Sequence, residues 1–341
     1  HSCAPGGQLW LAGVFAHHSA GYGGLCAGGA GGAGLFGDNA MSYERVTFLG
    51  LGLIASSMFW AMRRAGMRAH VTGYARSEQT RATAREIGLC DTVCDDLASA
   101  VREADLVVLC LPVGAMGAVM AEAAAHIKPG ATVTDVGSVK RAVIEAVAPH
   151  IAPGVHFVPG HPLAGTEHSG PTAGFAELFD NRWCLLTPNG ADTDAVAQLS
   201  QYWQALGAKV EEMDPDHHDL VLAVTSHAPH LIAYTMVGVA DDLHRVTNSE
   251  VINFSATGFR DFTRIAASDP TMWRDVFLTN KDATLEILGR FTEELFALQR
   301  AIRTGDGEML HDYFTRTRAI RRGIIDAGQD TDAPDFGRKK S

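Results

Sequence analysis

The stretch GHPLAGTEHSG, residues 160–170, places titratable side chains in a segment rich in glycine. His161 follows an apolar run that predicts a strand. Histidine titrates near neutral pH, so His161 could take a proton from a hydroxyl group of a substrate. Glu167 could orient that ring, or it could cap a following turn. The alternative for His161 is an ordinary hydrogen-bonded histidine in a loop.

A second candidate is Ser138, in the segment DVGSVK at 135–140. A strand is predicted to end here and a helix to begin. Parallel α/β sheets bind their ligands outside the carboxyl ends of the strands. We therefore expect Ser138 and His161 to lie at the same edge of one sheet. The alternative for Ser138 is a plain helix N-cap.

Histidines and arginines later in the chain could bind an acidic ligand. His227 and His230 lie in TSHAPHLIAYT, on a predicted helix, and Arg260 and Arg264 share a helix face in GFRDFTRIAASDPTMWRD. Asp261 can pair with Arg264, and an arginine held this way presents a rigid fork to a carboxylate. A surface ion pair is the alternative. No metal is expected, because a catalytic zinc usually has three protein ligands and no third ligand is near the two histidines.

The segment GLGLIAS contains the pattern G-x-G-x-x-A between a predicted strand and a predicted helix. Gly50 permits the tight turn, Gly52 lets a pyrophosphate approach the backbone, and Ala55 lets the helix pack on the strand. The free N–H groups at the start of the helix, at Leu53 and Ile54, would face the phosphates. The alternative is a packing turn in an unrelated α/β fold.

The second predicted strand ends in GYARS, where an acid would bind the ribose 2′-OH of NAD and repel the 2′-phosphate of NADP. Ala75 occupies that position, and Arg76 and Ser77 follow it. The missing acid beside Arg76 slightly favours NADP over NAD, and use of both is compatible with the pattern. Arg76 could instead be a solvated residue at a helix start. Pro112 and Ser138, each after a later strand, complete the predicted cofactor-binding residues.

Strands and helices alternate from Arg45 to about residue 213. This alternation predicts a parallel sheet with helices on both faces, which is a Rossmann-type α/β fold. Long helical patterns dominate after that point, and no strand is predicted there. We expect a disordered non-native extension at 1–40 with Met41 as the biological start, a dinucleotide-binding domain at 41–213, an all-α domain at 214–328, and a disordered tail at 329–341.

Length and charge limit the possible functions. A chain of 341 residues corresponds to about two domains. The net charge of −11 argues against nucleic acid or an anionic membrane surface as the main partner, but not against a small anionic ligand. No apolar run reaches the ~18 residues of a membrane helix. The six cysteines show neither a disulfide framework nor zinc spacing, which favours the cytoplasm.

Five segments carry a resemblance, in the order GLGLIASS, DVGSVK, GHPLAGTEHSG, SHAPH and GFRDFTRIAASDPTMWRD. From about Arg45 to Gly328 the chain resembles the prephenate/arogenate (cyclohexadienyl) dehydrogenase family of tyrosine biosynthesis. The resemblance implies a Rossmann domain followed by a helical domain that forms a homodimer. It also implies oxidative decarboxylation of prephenate and/or arogenate with hydride transfer to NAD(P), giving 4-hydroxyphenylpyruvate and/or tyrosine.

The resemblance also implies a role for each candidate residue. It gives catalytic roles to His161, Ser138 and Glu167, and substrate-binding roles to His227, His230, Arg264 and Trp273. In this scheme His161 takes the proton of the C4 hydroxyl, hydride leaves C4, and the ring carboxylate departs as CO₂. Because the base must be neutral, the rate should rise with pH through the histidine range. Prephenate and arogenate differ only in the side chain, and both stay open as substrates.

Two other functions are compatible with a Rossmann domain followed by helices. A β-hydroxyacid dehydrogenase typically relies on a lysine in its helical domain. Here Lys281 is the only lysine between residues 210 and 337, and no matching motif surrounds it. A non-catalytic dinucleotide-binding sensor would not need His161, Ser138 and Arg264.

Overall fold

The computed structural model describes residues 43–166, 168–242 and 248–326. The extension predicted at 1–40, the tail predicted at 329–341 and the candidate Glu167 lie outside the described residues. The elements below all belong to the described ranges.

Six parallel strands form one sheet in the order β3-β2-β1-β4-β5-β6. The strands are β1 Arg45–Leu49, β2 His70–Tyr74, β3 Thr92–Val93, β4 Leu106–Leu109, β5 Thr132–Asp135 and β6 His156–Phe157. The central strand β4 reads LVVL and is buried throughout, as expected for a strand covered on both faces. The strand order reverses between β1 and β4, which opens a crevice at the carboxyl ends. The predicted Rossmann-type fold is confirmed.

Helices cover both faces of this sheet. They are α1 Leu53–Arg64, α2 Glu78–Glu86, α3 Leu97–Val101, α4 Val113–Ala123, α5 Arg141–Val147 and α6 Thr193–Ala205. On one face, Phe48 of β1 packs in a cluster with Met58 of α1 and Trp203 of α6. On the other, Leu49 belongs to a cluster with Met116 of α4. Ala55, the third small residue of the glycine-rich turn, is fully buried in the first cluster.

A second, three-stranded sheet carries His161. Its strands are β7 Gly160–Pro162, β8 Trp183–Leu186 and β9 Lys209–Glu212, in the order β7-β8-β9. The expectation that the strand after α5 continues to Gly160 is wrong, because β6 ends at Phe157. Pro159 has no N–H to donate, so the parallel ladder stops there. His161 is therefore a strand residue, paired antiparallel with Leu185, and not a loop residue.

The rest of the described chain is helical, as predicted. The helices are α7 Pro215–Leu222, α8 Ala228–Asp242, α9 Asn248–Phe254, α10 Thr257–Thr263, α11 Pro270–Thr279, α12 Lys281–Thr304 and α13 Gly307–Asp326. No strand follows Glu212 within the described ranges. A left-handed Gly305, with φ of 71°, separates the last two helices.

A π-helical turn, Ala223–His227, joins α7 and α8 into one helical segment from Pro215 to Asp242. Among the described helices this segment is long and apolar enough to cross a membrane. The expectation that the sequence contains no segment of that kind is therefore wrong. Its polar side chains have partners inside the protein, however, and they form part of the site described next.

Candidate active site

The turn after β1 leaves room for a phosphate chain. Gly50 has φ of 98°, and a Cβ at this position would lie 2.2 Å from the carbonyl oxygen of Cys110. A Cβ at Gly52 would meet nothing within 4 Å, so the space beside it is open. Gly52 begins α1 without a side-chain cap, and the first turn holds no acid. The N–H groups of Leu53 and Ile54 are thus available to an anion, which fits the pyrophosphate of NAD(P).

Three residues follow β2 at the same edge of the sheet. Ser77 is the N-cap of α2, and its hydroxyl accepts a hydrogen bond from the N–H of Thr80 at 3.4 Å. Arg76 is exposed, and within the described chain its side chain makes no hydrogen bond or ion pair. Ala75 is buried and brings no charge. Arg76 is therefore available to a ligand.

Arg81 holds this turn in place. Its guanidinium donates to the carbonyl oxygens of Ala75 at 2.7 Å and of Arg76 at 3.1 Å. The same group pairs with the carboxylates of Glu78 and Asp95. The side chain of Arg81 is only 13% exposed, so it supports the turn and is not a solvated residue. At the end of β4, Pro112 is exposed as the N-cap of α4.

A chain of hydrogen bonds fixes the ring of His161. Its Nδ1 lies 2.9 Å from Nε2 of His218, and Nδ1 of His218 lies 2.9 Å from a carboxylate oxygen of Asp219. A carboxylate can only accept, so Nδ1 of His218 carries the proton and its Nε2 accepts from His161. The proton of neutral His161 is then on Nδ1. Its Nε2 keeps a lone pair, which is the arrangement of a general base.

Burial keeps this pair of histidines neutral. It lowers the pKa of His161 well below the ordinary value, and the nearby His218, Lys140 and His227 lower it further. Burial also lowers the pKa of His218, although the hydrogen bond with Asp219 acts in the opposite direction. The free enzyme therefore holds His161 as a neutral imidazole at neutral pH.

A buried ion pair joins the end of β5 to the start of β7. The side chains of Lys140 and Asp135 are both fully buried, and Nζ of Lys140 contacts the Asp135 carboxylate. The same Nζ donates to the carbonyl oxygen of Gly160 at 2.6 Å, and Asp135 accepts from the N–H of Gly160 at 3.2 Å. Both polar backbone groups of the residue before His161 are thus held in place. This pair brings β7 to the carboxyl end of β5, although the two strands belong to different sheets.

The carboxylate of Asp219 caps α5 from the neighbouring helical region. It accepts from the N–H groups of Lys140 at 2.7 Å and of Arg141 at 2.9 Å. The N-cap of α5 is Lys140, whose side chain makes no capping bond. The reading of Ser138 as a plain N-cap is therefore excluded. Ser138 is half-buried, and its hydroxyl makes no hydrogen bond to another described residue.

His230 and Trp273 form a stacked pair, with ring centroids 3.7 Å apart and planes at 25°. Nδ1 of His230 lies 2.8 Å from the carbonyl oxygen of Ser226, so Nδ1 donates. Burial lowers the pKa of His230, the bond to Ser226 raises it, and the charge of Arg264 lowers it. Arg264, an exposed residue, thus acts electrostatically on the stacked pair.

The helical region meets the DVGSVK segment at His227 and Trp273. His227 is fully buried, and the main chain of Ser138 is one of the groups that influence its pKa. Trp273 packs in one cluster with Val139, and its Nε1 is buried with no hydrogen-bond partner in the described chain. The structure therefore brings His161, Ser138, His227, His230 and Trp273 into one region. No cluster of three or more metal-binding side chains occurs among the described residues.

Sequence reasoning missed four polar residues of this region, namely Lys140, His218, Asp219 and Asn280. All four are buried. A signal was present for two of them, since the pattern DHHD opens an otherwise apolar helix that also carries His227 and His230. Their partners are far away in sequence, so the pattern alone could not show what they contact.

Known proteins with similar sequences identify the family. Models of the prephenate dehydrogenase nucleotide-binding and dimerization domains match residues 60–212 and 214–316. Cyclohexadienyl dehydrogenase of Zymomonas mobilis is 42% identical over 83% of this chain and 96% of its own length. Prephenate dehydrogenase of Bacillus subtilis is 35% identical over 82% of this chain and 76% of its own length.

Solved structures agree with these relatives. Prephenate dehydrogenase from Aquifex aeolicus, in complex with hydroxyphenyl propionate and NAD+, superimposes with a TM-score of 0.77 at 30% identity, over 84% of this chain and 100% of that chain. Synechocystis arogenate dehydrogenase gives a TM-score of 0.69 at 28% identity, over 82% and 99%. The chain belongs to the prephenate dehydrogenase family and is an NAD(P)-dependent dehydrogenase of the oxidative decarboxylation step in tyrosine biosynthesis.

Proposed function

We propose that the enzyme oxidises and decarboxylates prephenate, arogenate or both, with His161 as the general base. The hydrogen-bonded series Asp219–His218–His161 carries this proposal. It leaves Nε2 of His161 with a lone pair in a buried ring whose pKa is lowered, as proton abstraction from a hydroxyl requires. Ser138 is the proposed hydroxyl partner, because its hydroxyl is half-buried and unengaged by other described residues.

In the proposed mechanism, Nε2 of His161 takes the proton of the C4 hydroxyl while the C4–H bond breaks. A bound nicotinamide would supply the acceptor for the hydride that leaves C4. The C4 oxygen becomes a carbonyl, and the bond from C1 to the ring carboxylate then breaks, so that its electron pair enters the ring and CO₂ leaves. The positive charge on His161 is stabilised through His218 by Asp219, which is itself held at the N-terminus of α5. The phenolate oxygen of the product recovers the proton.

The substrate's acidic groups are proposed to bind on the helical side of the site. Arg264 supplies a cation there, in the turn that follows α10, and its charge lowers the pKa of His230 in the stacked His230–Trp273 pair. The flat Trp273 side chain would form a wall of the pocket, and His227 would line it beside Ser138. The proposed orienting role of Glu167 rests on its place in the segment GHPLAGTEHSG and on the family resemblance.

The same proposal includes a slight preference for NADP over NAD, with use of both. It is supported by the exposed Arg76, which has no side-chain partner in the described chain, and by the uncharged Ala75 at the end of β2. A 2′-phosphate placed there would meet a cation and no opposing acid at that position.

A homodimer is proposed through the helical region. Large apolar side chains are exposed on several of its helices, most of them on α8 (Met236, Val237 and Val239), α12 (Leu285, Phe291, Leu295, Phe296 and Ile302) and α13 (Phe314, Ile320 and Ile324). Exposed apolar surface on this scale is typical of an interface. The matched family model is that of a dimerization domain.

The domain roles follow from this arrangement. We assign dinucleotide binding to residues 41–213, and substrate binding and dimerisation to residues 214–328. The reaction is proposed to take place in the cytoplasm. Free thiols at Cys90, Cys94, Cys110 and Cys184 suit a reducing compartment.

The proposal is tested directly by measuring the absorbance of the reduced nicotinamide cofactor as it forms. Prephenate, arogenate and a panel of β-hydroxyacids are each offered with NAD and with NADP, and CO₂ release is measured in parallel. Reduction of the cofactor with equimolar CO₂ is expected for prephenate, arogenate or both. Turnover of a hydroxyacid without CO₂ release would contradict the proposal, and so would a complete lack of turnover.

A further inference from the structure

Asn280 lies between α11 and α12 and is 6% exposed. Its side-chain nitrogen lies 2.8 Å from the main-chain carbonyl oxygen of Asp219 and 3.0 Å from Nδ1 of His227. A carbonyl oxygen can only accept, so the amide NH₂ group, and not the amide oxygen, faces both neighbours. Nδ1 of His227 must then present a lone pair. One amide group thus determines the hydrogen bonding of two buried residues.

This contact decides where His227 carries its proton. A neutral imidazole has a single N–H, and with Nδ1 as the acceptor that N–H is on Nε2. Burial, the largest influence, lowers the pKa of His227 to about 4, so the ring is neutral at pH 7. Nε2 is buried and makes no hydrogen bond of normal geometry to another described residue.

The ring of His227 lies near the segment that carries Ser138, because Trp273 contacts His227 edge-on and packs in one cluster with Val139. The main chain of Ser138 raises the pKa of the His227 ring. A main-chain group that does so must be an acceptor, which identifies it as the carbonyl oxygen. Since Nδ1 accepts from Asn280, Nε2 is the ring nitrogen that can donate toward such an acceptor. The Nε2–H form attracts the carbonyl, whereas the other tautomer would set two lone pairs against each other.

Asn280 also acts on the other side of the site. It holds the main-chain carbonyl of Asp219, and the Asp219 carboxylate orients His218. His218 in turn orients His161. The Asn280 amide is therefore connected to His161 through Asp219 and His218, and to the segment of Ser138 through His227.

We propose that Asn280 is a positioning residue for the reaction. It fixes His227 as the Nε2–H tautomer beside the segment that carries Ser138, and it anchors Asp219, which leads to His161. The inference rests on the proposed roles of Ser138 and His161. Asn280 itself is not proposed to touch the substrate.

Nitrogen NMR of the wild-type enzyme tests the tautomer without any variant at Asn280. The protein is labelled with ¹⁵N, and the His227 ring signals are assigned by their loss in His227→Gln. A proton on Nε2 and a bare Nδ1 are expected at pH 7. A proton on Nδ1 would overturn the inference. The measurement needs no turnover, so its result is independent of whether the proposed reaction is correct.

Asn280→Asp and Asn280→Ser test the effect on catalysis. The carboxylate of the Asp variant cannot donate, so it should draw the proton of His227 to Nδ1. In both variants we expect kcat to fall by up to about 100-fold, as for other losses of alignment, while the KM for the cofactor stays unchanged. In the Asn280→Asp sample, the proton of His227 should be found on Nδ1 instead of Nε2.

Thr284→Val is the matched control on α12. Thr284 is 4% exposed, and its hydroxyl has no hydrogen-bond partner among the described residues, so valine replaces it with nearly the same shape. Wild-type kcat and an unchanged tautomer are expected. A folded Asn280→Asp enzyme with wild-type kcat would overturn the inference, and so would an equal loss in Thr284→Val. If neither Asn280 variant folds, the nitrogen NMR spectrum of the wild-type enzyme decides, because a proton on Nδ1 of His227 would overturn the inference.

Discussion

Around the turn after β1, backbone N–H groups and open space are available to a ligand, whereas around His161 buried side chains hold one another in position. Gly50 and Gly52 have no side chain that would fill the space beside the turn. The cation nearby, Arg76, is exposed. By contrast, His161 is 6% exposed and is bonded to His218, which lies 57 residues away in sequence.

This difference determines how each region responds to change. The turn after β1 and residues 75–77 form the proposed cofactor edge, which is local in sequence and meets solvent, so its side chains should adjust specificity at small cost in stability. The surroundings of His161 are buried and join two parts of the chain, so a single substitution there leaves a polar group without its partner. Substitutions around His161 should therefore cost activity or stability, and those at the cofactor edge should change preference.

The largest expected effect is that of His161→Asn on kcat. Loss of a general base typically costs ~10²–10⁴-fold, and asparagine cannot take up the proton. The fold and the cofactor affinity should be kept, because asparagine retains a polar group near the position of Nδ1. Steady-state kinetics with saturating cofactor measure the loss.

His168→Asn is the control for that substitution. His168 belongs to the segment that follows β7 and is exposed. Its kcat should stay at the wild-type value. Wild-type turnover in His161→Asn would remove His161 from the mechanism.

Lys140→Met should have the largest effect on stability. Methionine leaves the Asp135 carboxylate fully buried without its counter-ion, and breaking a buried pair in this way costs about 3–5 kcal/mol. Denaturant unfolding measures the change. Lys128→Met provides the comparison, because the Lys128–Asp105 pair is partly exposed and surface pairs contribute only about 0–1 kcal/mol. Equal losses in the two variants would show that burial does not distinguish these pairs.

The two regions also differ in how far the sequence predicts them. The G-x-G-x-x-A turn and the alternation of strands and helices depend on neighbours in sequence, so the Rossmann-type fold was predictable. The site around His161 depends on contacts such as Lys140 with Asp219, 79 residues apart. No local pattern encodes such a contact, which is why Ser138 was compatible with an N-cap role, although the N-cap is Lys140 and the Asp219 carboxylate accepts from the free N–H groups of α5.

The strand carrying His161 shows the same limit. The run VHFVPG is apolar enough to predict a single strand, but Pro159 divides it between two sheets. The sequence nevertheless placed Ser138 and His161 near each other. That expectation placed both residues at the carboxyl edge of one sheet. His161 lies in the second sheet instead, and the Lys140–Asp135 pair brings its strand β7 to the carboxyl end of β5.

The pH profile should distinguish a buried base from an exposed one. Burial first, and then His218, Lys140 and His227, lower the pKa of His161 well below 6.5. The base acts when neutral, so activity is present above its pKa in the folded enzyme and is lost as the pH falls through that value. The acid limb of kcat/KM should therefore lie well below pH 6.5, and not in the ordinary histidine range that the sequence suggests.

The measurement uses initial rates from pH 5 to pH 9, with thermal unfolding recorded in the same buffers. Unfolding data separate loss of the base from loss of the fold, because neutral buried histidines also make the protein less stable in acid. An acid limb centred at or above pH 6.5 would contradict a buried, neutral His161.

The smallest expected effect concerns cofactor preference, at the exposed end of the comparison. Arg76→Ala should lower kcat/KM for NADP by about tenfold, which corresponds to the low end of the ~1.5–3 kcal/mol of a charged hydrogen bond. The value for NAD should hardly change, since NAD has no 2′-phosphate. Ala75→Asp should shift preference toward NAD, through repulsion of the phosphate and a new bond to the 2′-OH.

Arg85→Ala is the control, because it removes a charge from the same helix at a residue that pairs with Glu78 and Asp95. Equal effects of Arg76→Ala on both cofactors, or an Arg85→Ala enzyme with the same selective loss, would show that Arg76 is only a solvated residue at the start of α2.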